Sequence, residues 1–420
     1  MIGAGAAGLA AALHLSRAGR RVLVLEARTR TGGRIHTRHE RDWPIPVELG
    51  AEFLHGEAAA AREVAGAAGL AVLDLEERHL LAANGRLLDT RGFWTRFARL
   101  QRRMRALRSD LPFARFLARQ KGLASTDRTM AVGYVEGFFA AHLDRISTRS
   151  LASDDPEADA SQGRLRDGYD GLVRALEDGL DPGRIEVRRN TVVTDVEWRP
   201  GRARVRSRSG LGGTLPPLEA PRLVVTVPLG VLKAPAGVPG AIRFAPALPD
   251  KARALARLEM GSARRVVLRF REDFWTRAGL TSFVHSPDAA FPTWWTAAPA
   301  EVRCLTAWAG GACAEALAGH PPAVVARRAL EVLARLAKRP LAQLGAALEA
   351  WETHDWDADP FSRGAYAYVG VGGMRAAALL ARPVARTLFF AGEATEGDQI
   401  GTVPGAVASG RRAALQVLGA

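Results

Sequence analysis

A parallel α/β sheet built to hold a dinucleotide, assembled from separated stretches of chain with a mixed α+β region inserted between them, is the fold class this sequence predicts. Three observations carry that expectation. The chain opens on the glycine turn Gly3-Ala4-Gly5-Ala6-Ala7-Gly8. A helix-length stretch leads from it into Arg21-Val22-Leu23-Val24-Leu25-Glu26, a buried-type strand closed by an acid. Near the far end, Leu388-Phe389-Phe390-Ala391 runs into Gly392-Glu393-Ala394-Thr395, a second junction of strand and glycine loop.

The opening turn is read as chemistry. Gly3 makes the turn, Gly5 leaves room for a pyrophosphate, and Gly8 lets the helix pack close to the strand. The helix over 9–18 is rich in Ala and Leu and stops at Gly19, a C-cap signal. At Ala6 and Ala7 its N-terminus offers unpaired N–H groups and a partial positive charge to phosphate. Glu26 follows Gly8 by 18 residues, where an acid receives a ribose hydroxyl, with Ala27 and Arg28 next to it. An acid at that point disfavours a 2′-phosphate and so NADP. Only Met1 and Ile2 precede Gly3, whereas a mean strand has about 5–6 residues. Several more apolar residues are therefore expected upstream in the native protein.

Composition bounds the rest. At 420 residues, two domains with ample core are expected. No run of 18 apolar residues occurs, so no transmembrane span is predicted. Cys304 and Cys313 give neither a disulfide framework nor metal spacing; a cytoplasmic location is the default, and no metal is predicted. The net charge of +14 is almost all Arg. Its densest stretch, 96–119, alternates with Phe97, Leu100, Met104, Leu107 and Phe116 at helical spacing. That pattern is a surface helix with a solvated basic face, so no nucleic-acid partner is predicted.

Along the chain, 1–57 reads as nucleotide-binding and 58–164 as mostly helical. A helix is expected over 171–180 and a short strand over 185–187. Paired strands over 191–198 and 203–207 flank the turn Pro200-Gly201. Buried strands follow over 223–227 and 266–270, then an amphipathic helix over 322–338 and a last helix over 405–418. The predicted organisation is discontinuous: 1–57, 165–235 and 385–420 build the nucleotide-binding domain, and 58–164 with 236–384 build the substrate domain.

Six ordered motifs then carry a resemblance over nearly the whole length. They are Thr31-Gly32-Gly33-Arg34; Glu48-Leu49-Gly50-Ala51-Glu52-Phe53-Leu54-His55-Gly56; Val225-Thr226-Val227-Pro228-Leu229-Gly230; Val266-Val267-Leu268-Arg269-Phe270; Asp359-Pro360-Phe361-Ser362-Arg363-Gly364-Ala365-Tyr366; and Gly392-Glu393-Ala394-Thr395. With the glycine turn, they resemble the flavin-dependent amine oxidases: monoamine and polyamine oxidases, L-amino-acid oxidases and flavin histone demethylases. The resemblance implies a Rossmann-type FAD-binding domain with an inserted substrate domain. It also implies oxidation of an amine C–N bond to an imine by hydride transfer to flavin N5, followed by imine hydrolysis, with oxygen or another acceptor restoring the flavin. The partners implied are a small-molecule amine and that acceptor, in a monomer or homodimer.

The resemblance also assigns residues. Arg34, after Gly33, would place its guanidinium on the pyrophosphate. Leu49, Gly50, Ala51 and Glu52 would lie along the cofactor, and Val193 would meet the adenine. Gly392, Glu393, Gly401, Thr402, Val403 and Ala406 would hold the ribityl and pyrophosphate end, with the last helix directing its dipole at the flavin. Tyr366 would flank the substrate amine, and Trp356 and Phe361 would wall the site. His55 would hydrogen-bond the substrate nitrogen, and Glu52 would offer a carboxylate to a distal ammonium. Where monoamine oxidases attach FAD through a Cys, this chain has Ala365, which implies noncovalent FAD. Thr402 and His55 match the polyamine-oxidase pattern. Where the family has a Lys linked through water to N5, this chain has Arg265, with Arg264 beside it. Arg is planar, bulkier and permanently charged, which opens the choice between oxidase and dehydrogenase. Alternatives are an L-amino-acid oxidase or dehydrogenase, a noncatalytic FAD-binding scaffold, and a carotenoid- or protoporphyrinogen-type desaturase.

Overall fold

A computed structural model describes residues 1–75, 78–83, 85–90, 92–154, 162–280, 283–287 and 289–420. The parallel sheet that carries the glycine turn is drawn from four distant parts of the chain. Strand Val22–Leu25 pairs in parallel with Ile185–Arg188, and Leu223–Val225 pairs in parallel with Leu388–Phe390. Ile2 joins the two halves through parallel bridges to Leu25 and Val225. A very short leading segment thus occupies the central position, held by Ile2 N–H to Val224 O at 2.9 Å and Gly3 N–H to Leu25 O at 2.8 Å.

Two helices cover one side. Helix Ala6–Arg17 packs against the last helix, Val403–Leu418. Small residues on both allow it: a Cβ on Gly410 would lie 2.2 Å from Ala7 O. Helix Asp170–Asp178 packs beside them through Leu172, Val173 and Leu176. On the other side, Thr191–Arg199 and Arg202–Ser209 form the expected antiparallel pair, extended by Thr214–Ala220 and, in parallel, by Arg243–Ala245.

The larger sheet has seven strands among the described residues. Their order is Leu348–Asp355, Ala263–Phe270, Cys304–Gly310, Thr293–Thr296, Phe283–His285, His79–Ala83 and Arg86–Asp89. Successive residues of a strand point to opposite faces. Val266 and Leu268 join the core beneath helix Pro322–Ala337, while Val267 packs on Val47 and Leu49. Arg265 shares the face of Val267, which turns toward the glycine-rich half of the molecule.

Two expectations are corrected. The segment 58–164 has helices, but among its described residues it also contributes strands Val72–Leu75, His79–Ala83, Arg86–Asp89 and the start of Gln162–Leu165. Residues 155–161 lie outside the described residues. His79–Ala83 has little period-2 alternation and becomes a strand because Phe283–His285 receives it edge to edge. The basic stretch is two helices, Phe93–Arg105 and Phe113–Ala118, separated by residues 106–112, with Pro112 at the N-cap of the second. Phe97, Leu100, Met104 and Phe116 are buried as the spacing predicts. Several of the arginines are engaged: Arg96 with Asp127, Arg103 with Gln120, Arg105 with Ala152 O. No helix among the described residues is long and apolar enough to cross a membrane. Both cysteines are free thiols, and the described residues show no metal-type cluster.

Candidate active site

One elongated cavity of about 820 Å³ runs from the glycine turn to the seven-stranded sheet. At its first end lie Gly3, Gly5, Ala6, Ala7, Glu26, Ala27, Arg28, Gly33, Arg34 and Val193. Gly3 has φ +100°, and Gly5 caps helix Ala6–Arg17 without a side chain, leaving the first-turn N–H groups facing the cavity wall. Gly8 does not line the cavity. Its role is packing: a Cβ there would sit 2.1 Å from Gly3 O. Glu26 is buried, and its two oxygens accept from the N–H of Ala4 and of Arg28 at 2.8 and 2.9 Å. The carboxylate is thus fixed while each oxygen keeps a lone pair for a hydroxyl. The Arg28 guanidinium is held by Asp359 and Ser362 and lies 5.5 Å over the Phe361 ring. Phe361 therefore belongs to this end and does not wall the substrate region.

The middle of the cavity is walled by Leu49, Gly50, Ala51, Trp356, Gly392, Glu393, Gly401, Thr402, Val403 and Ala406. A Cβ on Gly50 would lie 1.8 Å from Arg34 O, so only glycine lets the strands approach there. Trp356 donates its Nε1–H to Leu49 O at 2.8 Å. Arg34 is paired with Glu393 at 2.8 Å and also donates to Ala365 O. Its charge is therefore shared with a carboxylate. Thr402 is the N-cap of the last helix: its hydroxyl accepts from Gly405 N–H at 3.0 Å and donates to Gln399 O. The hydroxyl thus caps the helix.

The far end is aromatic. Phe53, His55, Phe138, Trp295, Trp308 and Tyr366 line it with Arg265 and Glu52. Tyr366 donates its hydroxyl to Phe138 O at 2.9 Å, and burial raises its pKa far above the ordinary tyrosine range. His55 packs edge-on to Phe138, with its Nδ1 buried and unpartnered; burial lowers its pKa to about 4, so it is a neutral imidazole. Arg265 is buried between Trp295 and Trp308, at 5.4 and 5.5 Å from their centroids. It donates to Glu48 O at 2.8 Å and pairs with Glu52 at 3.0 Å. Arg264 points to the other face and pairs with Asp355.

Glu52 overturns its expected role. One oxygen receives Arg164 at 2.6 Å and Trp295 Nε1 at 3.3 Å, and the other receives Arg265. The carboxylate expected to meet a distal ammonium is occupied by two guanidinium groups. Two guanidinium groups thus share the Glu52 carboxylate, with the buried Glu48 close enough to interact with Arg265 and Glu52. Sequence reasoning missed Arg164, Trp295, Trp308 and the half-buried pair His79 and His285. Trp295 and Trp308 were findable as aromatic positions in alternating strands; Arg164 was not, because this chain offers too many arginines.

The cradle fits a dinucleotide: glycines where a Cβ would collide, a helix N-terminus at the turn, and a fixed acid at one end. Comparison with known proteins decides which. Residues 6–418 match the family of flavin containing amine oxidoreductases. This chain belongs to that family. The amine oxidoreductase is 30% identical to polyamine oxidase 3 of Oryza sativa subsp. japonica, with 99% of this chain and 87% of the relative covered. It is 27% identical to polyamine oxidase 2 of Arabidopsis thaliana, covering 99% of this chain and 86% of that protein. Its fold matches wild-type putrescine oxidase bound to putrescine with a TM-score of 0.81 at 21% identity, covering 100% and 98% of the two chains. Cyclohexylamine oxidase from Brevibacterium oxydans IH-35A gives 0.80 at 22%, over 99% and 97%. The amine oxidoreductase therefore carries a flavin cofactor and has the α/β architecture of flavin amine oxidases.

Proposed function

We propose that this protein binds FAD noncovalently and oxidises the C–N bond of a primary or secondary amine with an apolar body to the imine, which water then hydrolyses. The observation that carries this reading is one continuous cavity with a dinucleotide cradle at one end and an aromatic chamber at the other. On this reading 1–57, 165–235 and 385–420 form the FAD-binding part, and 58–164 with 236–384 the substrate part. When bound, the flavin supplies the acceptor for two electrons and a hydride.

The chain's own residues supply binding, orientation and exclusion of water. Gly5 and the first-turn N–H groups of helix Ala6–Arg17 would hold the pyrophosphate, Glu26 the ribose and Val193 the adenine. Tyr366, fixed by its bond to Phe138 O, presents a ring face to the amine. His55, neutral and with a buried unpartnered Nδ1, can accept from or donate to the substrate nitrogen. The excess positive charge of Arg164 and Arg265 over Glu52 disfavours an ammonium and favours the neutral amine, whose lone pair drives the oxidation. The same excess, with Glu52 occupied, ranks polyamines below amines with one basic nitrogen.

Cys304 is buried in a strand, its thiol pushed up to about 12 by burial, and neither cysteine lines the cavity. Acid precipitation is therefore expected to release all flavin into the supernatant; flavin in the pellet would refute noncovalent binding. The reaction is tested by anaerobic bleaching of the flavin with monoamines, polyamines and L-amino acids. Bleaching by apolar monoamines is expected. Fastest reduction by polyamines or by amino acids would replace the substrate assignment, and no bleaching by any amine would remove catalysis from the reading. An L-amino-acid substrate is the second reading, favoured by the positive charge of the same Arg pair.

A further inference from the structure

The chamber has a polar feature that the amine chemistry does not use. His79 and His285 both line the cavity. Their rings are nearly parallel, at 7°, and His79 Nδ1 lies 2.9 Å from His285 Nε2. One of these nitrogens therefore donates and the other accepts. His79 also stacks on Phe283 at 5.0 Å. Burial lowers the two pKa values to about 4 and about 3, so both rings are neutral.

Sheet register locates the pair. Arg265 lies opposite Trp308, Trp308 opposite Thr293, and Thr293 opposite His285. All four stand in one row across the sheet, on the face that forms the chamber wall. Three strand spacings separate Arg265 from His285, about 14 Å. The pair thus lies toward the end of the chamber away from Arg265.

Its hydrogen bonding is adaptable. If His285 donates to His79, His79 Nε2 carries a proton and is a donor. If His79 donates to His285, His285 Nδ1 can donate to Thr293 Oγ1, 3.5 Å away, and His79 Nε2 becomes an acceptor. Among the described residues, His79 Nε2 has no protein partner. The carboxylates of the described cavity wall do not compete for this position. Glu26, Glu52, Asp154 and Glu393 are each engaged, and Asp398 is solvent-exposed.

We propose that the His79–His285 pair is a substrate subsite that receives an uncharged hydrogen-bonding group, such as a hydroxyl, at the far end of an elongated amine. The inference rests on the amine-oxidising reading and deepens it: it names a class of bifunctional amines with one basic nitrogen and one neutral polar end. A second ammonium is not the fitting group, since the pair carries no negative charge.

The test uses the FAD-loaded enzyme and matched pairs of terminal amino alcohols and plain alkylamines of increasing chain length. Anaerobic flavin reduction gives the apparent Kd of each. At the best chain length the hydroxylated member is expected to bind more tightly, by about fivefold or more. His79→Phe abolishes that preference, read as the ratio of the two Kd values, and His79→Gln, whose amide can donate and accept, restores part of it. Equal affinity of the two members at every length in the wild type overturns the proposal, as does an unchanged preference in His79→Phe. Should no amine reduce the flavin, the catalytic reading fails separately. The subsite is then read from the flavin spectral shift on binding a matched alcohol and alkane of the same lengths. Tighter alcohol binding lost in His79→Phe supports the subsite, and equal binding overturns it.

Discussion

Arg265 shows how a single residue can be legible in its place but not in its contacts. Its position in a buried strand, and its place where the resemblance has Lys, were clear from the sequence. What the structure adds is immobility: two tryptophans, Glu48 O and Glu52 hold the guanidinium from four sides. Removing one member of a buried ion pair strands the other. Arg265→Met is expected to lower stability by about 3 kcal/mol, measured as a shift in the urea midpoint of the FAD-loaded protein. A loss within the range of a surface substitution would mean that Arg164 alone satisfies Glu52. Arg265→Lys introduces an amine that can lose its proton when buried, which Arg cannot. Reoxidation of the reduced enzyme by oxygen, followed by stopped flow, should then be faster than in the wild type. An unchanged rate would show that this side chain does not govern the acceptor.

At the scale of elements, the tightest constraint is the crossing of helices Ala6–Arg17 and Val403–Leu418. A methyl group added at Gly410 would come within 2.2 Å of Ala7 O, so the crossing leaves no room for any side chain. Gly410→Ala must separate the helices. The expected loss is about 1–3 kcal/mol, with weaker FAD retention, because Ala6, Ala7, Val403 and Ala406 all border the cofactor region. Equal thermal stability and flavin content in the variant would show that the pair adjusts freely. The elements themselves were largely legible. The glycine turn, the paired strands around Pro200 and Gly201, and helix Pro322–Ala337 all carry local signals. His79–Ala83 was not legible, since its strand character comes from the partner strand rather than its own pattern. The occupation of Glu52 was hidden for the same reason: Arg164 and Arg265 are distant in sequence and meet it only across the folded interior.

Across the whole molecule, buried titratable groups divide into two opposed sets. Burial lowers His36, His55 and His79 to about 4 and His285 to about 3. An unfolded His titrates near 6.5, so the unfolded chain binds more protons below that pH. The stability from these groups is fully present above about 6.5 and is lost as pH falls toward 4. Burial raises Glu48 and Glu136 to about 7 and Asp357 to about 6. Their contribution has the opposite sign: it is present below the ordinary carboxylate pKa and is lost as pH rises through the folded values. Because the sets overlap, the informative quantity is a difference. The double variant His79→Phe, His285→Phe should lose less stability than the wild type on acidification from pH 6.5 to 4, on the order of 5 kcal/mol less. Urea midpoints at the two pH values measure it. Parallel profiles would show that this pair does not titrate on unfolding.

The central place of Ile2 between Val22–Leu25 and Leu223–Val225, next to Leu388–Phe390, has a consequence for how the protein is made. Synthesis delivers the glycine turn well before the strand, the Gly401–Ala406 wall and the capping Thr402 that complete the cradle. Until those residues are made, the chain has half a binding site. A dinucleotide bound across both parts of the cradle is therefore expected to stabilise the closed chain by binding it in preference to the unfolded one.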